Sequence, residues 1–335
     1  MRPAAVLFAL FACGMAVQPG VASCADPARQ PAEVGPAIDR GLAFLVKDAR
    51  EWKRQHNCVS CHHAGLVIWA MNEAKRSRHA VDDPLLADLT KWIANSGDGR
   101  TSVPRPASAP RALNTKAVQF ALALASDPAP NAASQAETGL LLKTIESDQT
   151  GKGSFAAWPE TRPPIFGSSD ETMTALAALA VAPAADVGNP AAIKVRDKAV
   201  EWLSRTQSDG DPQSMALRLI LWVRTGRPAA QWQPLADRIK RRQNADGGWS
   251  QADGMSSDAW ATGQALYAIS HAGRTAEQPE VGRGQLFLVQ TQRPDGSWPM
   301  TSRPLKAGGR GSTSLVPITS AGSAWAVIGL ARSAR

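Results

Sequence analysis

Cysteine is scarce in this 335-residue chain: of four, Cys13 lies inside an apolar leader and Cys24 at its end, so the folded part holds only Cys58 and Cys61. A disulfide-stapled scaffold is thereby excluded. Beyond the leader no apolar run approaches the length of a membrane helix. The net charge of +8 is spread over mixed-sign stretches such as Lys194-Val195-Arg196-Asp197-Lys198, and the one basic cluster is Lys240-Arg241-Arg242. That pattern suits solvated helix faces and leaves no footprint for nucleic acid. Phosphate-cradling loops and a G-x-S-x-G elbow are also missing, so nucleotide use and α/β-hydrolase chemistry have no support.

What is present begins with an address. Arg2 opens a short basic region, Ala4 to Val17 is mostly apolar, and small residues follow at Ala22, Ser23 and Ala25. This reads as a secretory signal peptide over 1–25, with 26–335 expected as a single exported or periplasmic domain. Val21-Ala22-Ser23-Cys24 also fits a bacterial lipoprotein box, which offers Cys24 as a lipid anchor.

Cys58-Val59-Ser60-Cys61-His62 fits the attachment of one covalent haem c. The two thiols would bond the haem vinyl groups, and His62 would give iron an axial nitrogen as its metal ligand. The same spacing also serves a disulfide or half of a zinc site. The expectation is a haem c protein in electron transfer with a periplasmic redox partner, its attachment segment at 55–65. Met173, Met255 and Met300 lie near similar connections and are weak candidates for the second axial ligand.

The rest of the chain repeats itself. Gln292-Arg293-Pro294-Asp295-Gly296-Ser297-Trp298 has an earlier copy in Gln243-Asn244-Ala245-Asp246-Gly247-Gly248-Trp249. Weaker copies end near Asp98, Asp148 and Asp209, giving aspartate spacings of 50, 61, 37 and 49 residues, as expected for a two-helix unit with variable loops. Each unit pairs an amphipathic helix, such as Ile193 to Thr206, with a more uniformly apolar one. The apolar set is Thr115 to Ala125, Glu171 to Ala182, Gln213 to Val223, Ala259 to Ser270 and Ala321 to Ala331. Helices apolar on most faces are buried, so an inner and an outer ring of antiparallel hairpins is predicted.

Arg283-Gly284-x-x-Phe287-Leu288-x-x-x-Gln292-x-x-x-Gly296-x-Trp298 resembles the glutamine-tryptophan repeat of the squalene-hopene cyclase and prenyltransferase superfamily. The resemblance implies an all-α fold, an α/α toroid, here of about six helical hairpins by the count of the repeats; a monomer is expected. It also implies that Gln243, Trp249, Gln292 and Trp298 tie neighbouring hairpins together. Cyclase chemistry is not carried by the linear motifs: neither D-x-D-D nor D-D-x-x-D occurs, and Asp82-Asp83 is followed by Pro84-Leu85-Leu86-Ala87. A zinc set like that of the prenyltransferases is not evident, since only His56, His63, His79 and His271 remain outside the haem motif.

Asp170 and Asp258 each close a Ser-Ser-Asp at the start of an inner helix, which in the toroid directs them to the cavity mouth. Helix capping explains an acid there, and Ser168 with Glu171 has capping-box spacing. If the cavity is catalytic, these two are the first acid or base candidates, with Glu171 behind them. The alternative to a redox protein is a non-redox toroid binding a small-molecule ligand, lipid or carbohydrate, or a cyclase-like enzyme without the usual acidic motifs.

Overall fold

The computed structural model describes residues 30–56, 58–100, 112–157, 164–165, 169–208, 210–303 and 314–335. The leader, Cys24, Ser168 and Asp209 lie outside them. Among the described residues the chain forms α-helices joined by turns and one π-helical turn, with only isolated bridges between extended residues. None of these helices is long and apolar enough to cross a membrane.

Local sequence sets the helix boundaries. Asp82 caps α3 (Asp83–Ser96) by accepting from the Leu85 N–H at 2.9 Å, Pro84 begins it, and Gly97 at φ 70° ends it. Leu85, Leu89 and Ile93 line its buried stripe. Asn189 and Pro190 start α7 (Pro190–Arg205) in the same way, and Val195, Ala199 and Leu203 face inward. The remaining members of the outer ring are α1 (Gln30–Gln55), α5 (Ala132–Asp148), α9 (Ala229–Arg241) and α11 (Pro279–Thr291).

The inner helices are α2 (Leu66–Arg76), α4 (Thr115–Ala125), α6 (Asp170–Asp186), α8 (Pro212–Arg224), α10 (Ala259–His271) and α12 (Val316–Ser333). Each packs on the next, α2 on α4 and so on to α12, which returns to α2 and closes the ring of six hairpins. This is the α/α toroid expected from the repeats. The tightest crossing joins α10 to α12, where a Cβ on Gly263 would stand 2.1 Å from the Trp325 carbonyl oxygen and one on Gly329 2.5 Å from that of Gly263. Trp69, Trp260, Tyr267 and Trp325 fill the space between α2, α10 and α12 in edge-to-face pairs with centroids 5.0–5.9 Å apart.

The repeat motif builds one joint three times. Gln243 Nε2 donates to the Gly247 carbonyl within its own loop and to the Glu280 carbonyl of the next outer helix, both at 2.8 Å. Gln149 does the same for Gly153 and Val195, and Gln292 for Gly296 and Ala37. The glycine is required: at φ 87° Gly296 lies so close to the Arg40 carbonyl oxygen that a Cβ would sit 2.2 Å from it. Trp249 and Trp298 donate their indole N–H to Ile239 and Leu288 of the preceding helix at 2.7 Å. Gly284 and Gly41 in the next helix leave room for the two indole rings.

Candidate functional site

All six inner helices begin at one mouth of the toroid, and two of the connections leading there carry chemistry-bearing side chains. In the first unit, Ser60 caps a π-helical turn, Cys61–Gly65, by accepting from the His62 and His63 N–H groups at 3.2 and 3.1 Å. Trp52, near the end of α1, is sandwiched between two imidazoles. Its ring stacks on His56 at 3.7 Å and on His63 at 4.2 Å, both within 8° of parallel, and meets His62 edge-on at 5.0 Å. The buried His63 sets Nε2 3.1 Å from Asp48 Oδ2, while its Nδ1 pairs with His62 Nδ1. Burial, with His63 and His56 adding to it, pushes the His62 imidazole down to about 3, so it is held neutral. Cys61 is buried and its thiol is pushed up to about 12 by desolvation, whereas Cys58 is exposed.

The second connection belongs to the fifth unit. Trp249 to Asp258 form a short loop pinned by the Asp258 N–H donating to the Trp249 carbonyl at 3.0 Å and by an antiparallel bridge between Ser250 and Ser257. Asp258 caps α10: Oδ1 accepts from the Ala261 N–H at 2.9 Å and Oδ2 from Gln251 Nε2 at 2.7 Å. Only 5% exposed, its carboxyl is pushed up to about 6 by burial, against hydrogen bonds from Ala261 and Gln251 and the charge of Arg303, which pull the other way. Arg303 donates to the Gln251 carbonyl at 2.9 Å and pairs with Asp211, the cap of α8, at 3.1 Å.

Beside this carboxyl lies a cleft walled by Met215, Trp249, Gln251, Trp260, Gln264 and Arg303. Its cavity volume is about 20 Å³, room for about one water molecule. Asp170, by contrast, is exposed and accepts from the Ala157 N–H at 2.8 Å; Ser169 caps α6 in place of the expected Ser168. Glu171 is buried in an ion pair with Arg218 at 2.8 Å. The two Ser-Ser-Asp motifs therefore part company: Asp258 is buried and bonded to Gln251, which lines the cleft, whereas Asp170 is exposed. Sequence reasoning missed Gln251, Gln264, Asp211 and Arg303, which come from three units and share no linear pattern. At the opposite ends of the inner helices it also missed Glu73, which pairs with Arg76 at 2.9 Å and Arg335 at 2.7 Å and accepts from the Tyr267 hydroxyl at 3.3 Å.

No protein-family model matches the chain. Over 161 residues, 42% of the chain, it is 34% identical to a drimenyl diphosphate synthase of Streptantibioticus cattleyicolor, covering 29% of that relative. Over 87 residues, 26% of the chain, it is 36% identical to one from Streptomyces showdoensis, covering 16% of it. The chain thus spans less than a third of the curated relatives it matches. Among solved structures it resembles the type II terpene cyclase MstE from Scytonema, held in complex with geranylgeranyl dihydroxybenzoate. The TM-score there is 0.56 at 13% identity, over 92% of the chain and 99% of MstE. An unsaturated glucuronyl hydrolase of Streptococcus agalactiae gives 0.58 at 13% identity, over 96% and 98%. These neighbours define the fold as a terpene cyclase-like or glycoside hydrolase-like α/α toroid.

The expectation of a haem c protein in electron transfer is corrected by these findings. The curated relatives are terpene synthases, and no group of three or more His, Cys, Asp or Glu suited to a metal occurs among the described residues. The local packing gives the physical reason. Cys58 faces solvent while Cys61 is 4% exposed inside the core, so the thiols do not present a common face to a planar group. His62 spends Nδ1 on His63 and packs edge-on against Trp52. Of the methionines considered as iron ligands, Met173 is a buried core residue and Met300 packs against Gly322.

Proposed function

We propose that this chain is a cyclase-like enzyme acting on a small organic molecule, with Asp258 as its proton donor. The observation that carries this reading is a carboxyl pushed up to about 6 and bonded to Gln251, which lines a cleft with Trp249, Trp260 and Met215. A carboxyl raised to about 6 holds its proton to a higher pH than one solvated by water, which makes it available as a general acid under mildly acidic conditions. The stretch similar to drimenyl diphosphate synthases and the likeness to a cyclase that holds a prenylated aromatic support a small-molecule substrate.

Turnover of farnesyl diphosphate, geranylgeranylated phenols and squalene, followed by gas chromatography and mass spectrometry, tests it. The expected product forms faster as pH falls through about 6, and Asp258→Asn slows it by about 10²–10⁴-fold. Equal rates for the two proteins overturn the role of Asp258. The narrowness of the cleft favours a second reading, a toroid that binds its ligand without converting it. We also propose that residues 1–25 direct export, with Cys24 as a lipid anchor; fractionation of cells expressing the full chain, with and without Cys24→Ala, tests both.

A further inference from the structure

We infer that Cys58 and Cys61 are a redox-active thiol pair, modified by low-molecular-weight disulfides of the glutathione class in an exchange that starts at Cys58 and ends with an internal Cys58–Cys61 disulfide. The site lies in the first unit and is independent of the fifth-unit cleft. Two residues, Val59 and Ser60, separate the cysteines. Cys58 stands exposed at a bend, while Cys61 is 4% exposed at the start of the π-helical turn. An ionised Cys58 raises Cys61 further, which places the two thiols within electrostatic reach of each other. A disulfide needs Cα atoms about 4.4–6.8 Å apart, and a tight turn brings residues at this spacing to within about 7 Å.

The turn after Cys61 supplies the movement. The Ser60 carbonyl accepts from the Ala64 N–H at 2.9 Å, the α-helical spacing, and from the Gly65 N–H at 3.4 Å, the π-helical one. A π-helical turn holds one residue more than an α-helical one. Releasing it lengthens the connection by that residue and lets Cys61 turn toward Cys58 while α2 stays whole. Trp52 holds the other side, donating its indole N–H to the Cys58 carbonyl at 3.3 Å.

Access sets the order of events. The Cys58 thiolate attacks one sulfur of glutathione disulfide; a Cys58–glutathione bond forms and one glutathione thiolate leaves. Cys61 then gives up its proton, helped by the charge of Lys116, and its sulfur attacks that of Cys58, expelling the second glutathione thiolate. Two protein thiols are oxidised, one glutathione disulfide is reduced to two thiols, and the protons from Cys58 and Cys61 go to the departing thiolates. Burial, which pushes Cys61 up to about 12, keeps it from reacting first.

Incubation of the purified full chain with oxidised glutathione, then alkylation, digestion and mass spectrometry, tests this; reading peptides keeps Cys13 and Cys24 apart from the pair. Cys58 and Cys61 are expected to lose alkylation together, in a peptide lighter by two hydrogens, and dithiothreitol to restore both. Cys61→Ser is expected to stop at a stable glutathione adduct on Cys58, and Cys58→Ser to leave Cys61 reduced. Should either variant fail to fold, the peptides of the unaltered chain still decide. A persistent glutathione adduct on Cys58 in the unaltered chain, crosslinking of two chains through Cys58, or no reaction of either thiol overturns the inference.

Discussion

The first and fifth units present their outer-to-inner connections at the same mouth, and they use titratable groups in opposite ways. In the first, Trp52 gathers three imidazoles around its ring, His63 stacked and buried, His56 stacked and exposed, and His62 edge-on. In the fifth, one carboxylate is buried beside Gln251, which lines a narrow cleft and whose Oε1 is left unmatched. Density of reactive residue types is thus a poor guide to a ligand site. A perturbed group next to an accessible space is a better one.

The sharpest way to separate the two connections is pH. Asp258 has its folded value raised to about 6 from an ordinary 3.8. Below the lower value both states are protonated and the group is silent; above the higher, an ionised buried carboxylate opposes folding. Asp258→Asn is therefore expected to be more stable than the parent at pH 7, by on the order of 3 kcal/mol, with the two converging as pH falls to about 4. His62 and His271, both pushed down to about 3 by burial, lose stability as pH drops below 6.5, but they do so in both proteins and cancel in the difference. Urea unfolding across this range checks it, and parallel curves would place Asp258 in water.

Breaking the first connection should then leave the second intact. Trp52→Ala removes the filling of the imidazole sandwich and is expected to cost about 2 kcal/mol, less than for a fully buried tryptophan because Trp52 is half-buried. Turnover at the fifth-unit cleft should stay within about twofold. A loss of turnover in this variant would mean the connections are coupled through α12, which touches the first through Ser320 and the His62 carbonyl. The smallest effect is expected from Ser60→Ala, which removes the cap of the π-helical turn and costs about 1 kcal/mol. Thermal melts of the two variants give both numbers.

The ring was legible because each unit repeats a joint whose parts lie within seven residues, as in Gln243 to Trp249 and Gln292 to Trp298. A pattern that short fixes its own geometry. The site was legible only in part. Ser-Ser-Asp places an acid at a helix start in both α6 and α10, but burial of one and exposure of the other depend on what the neighbouring units bring. Gln251 is buried by the segment around Thr301, fifty residues away in sequence. The Cys58 to His62 motif misled for the same reason: its spacing is local, while the packing that occupies His62 comes from Trp52 on the preceding helix.

The joint built by Gln292 has a temporal meaning as well. Its partner, the Ala37 carbonyl, lies 255 residues back in the chain, while the corresponding reach of Gln243 is 37. Contacts that close so long a loop form late and slowly. Until the last hairpin meets the first, the molecule is an open arc whose two end faces both show the apolar surface that Trp298 and Gly41 later share. Two such arcs in one solution could each complete the other. Refolding at high dilution is therefore expected to favour the closed ring, which size-exclusion chromatography checks.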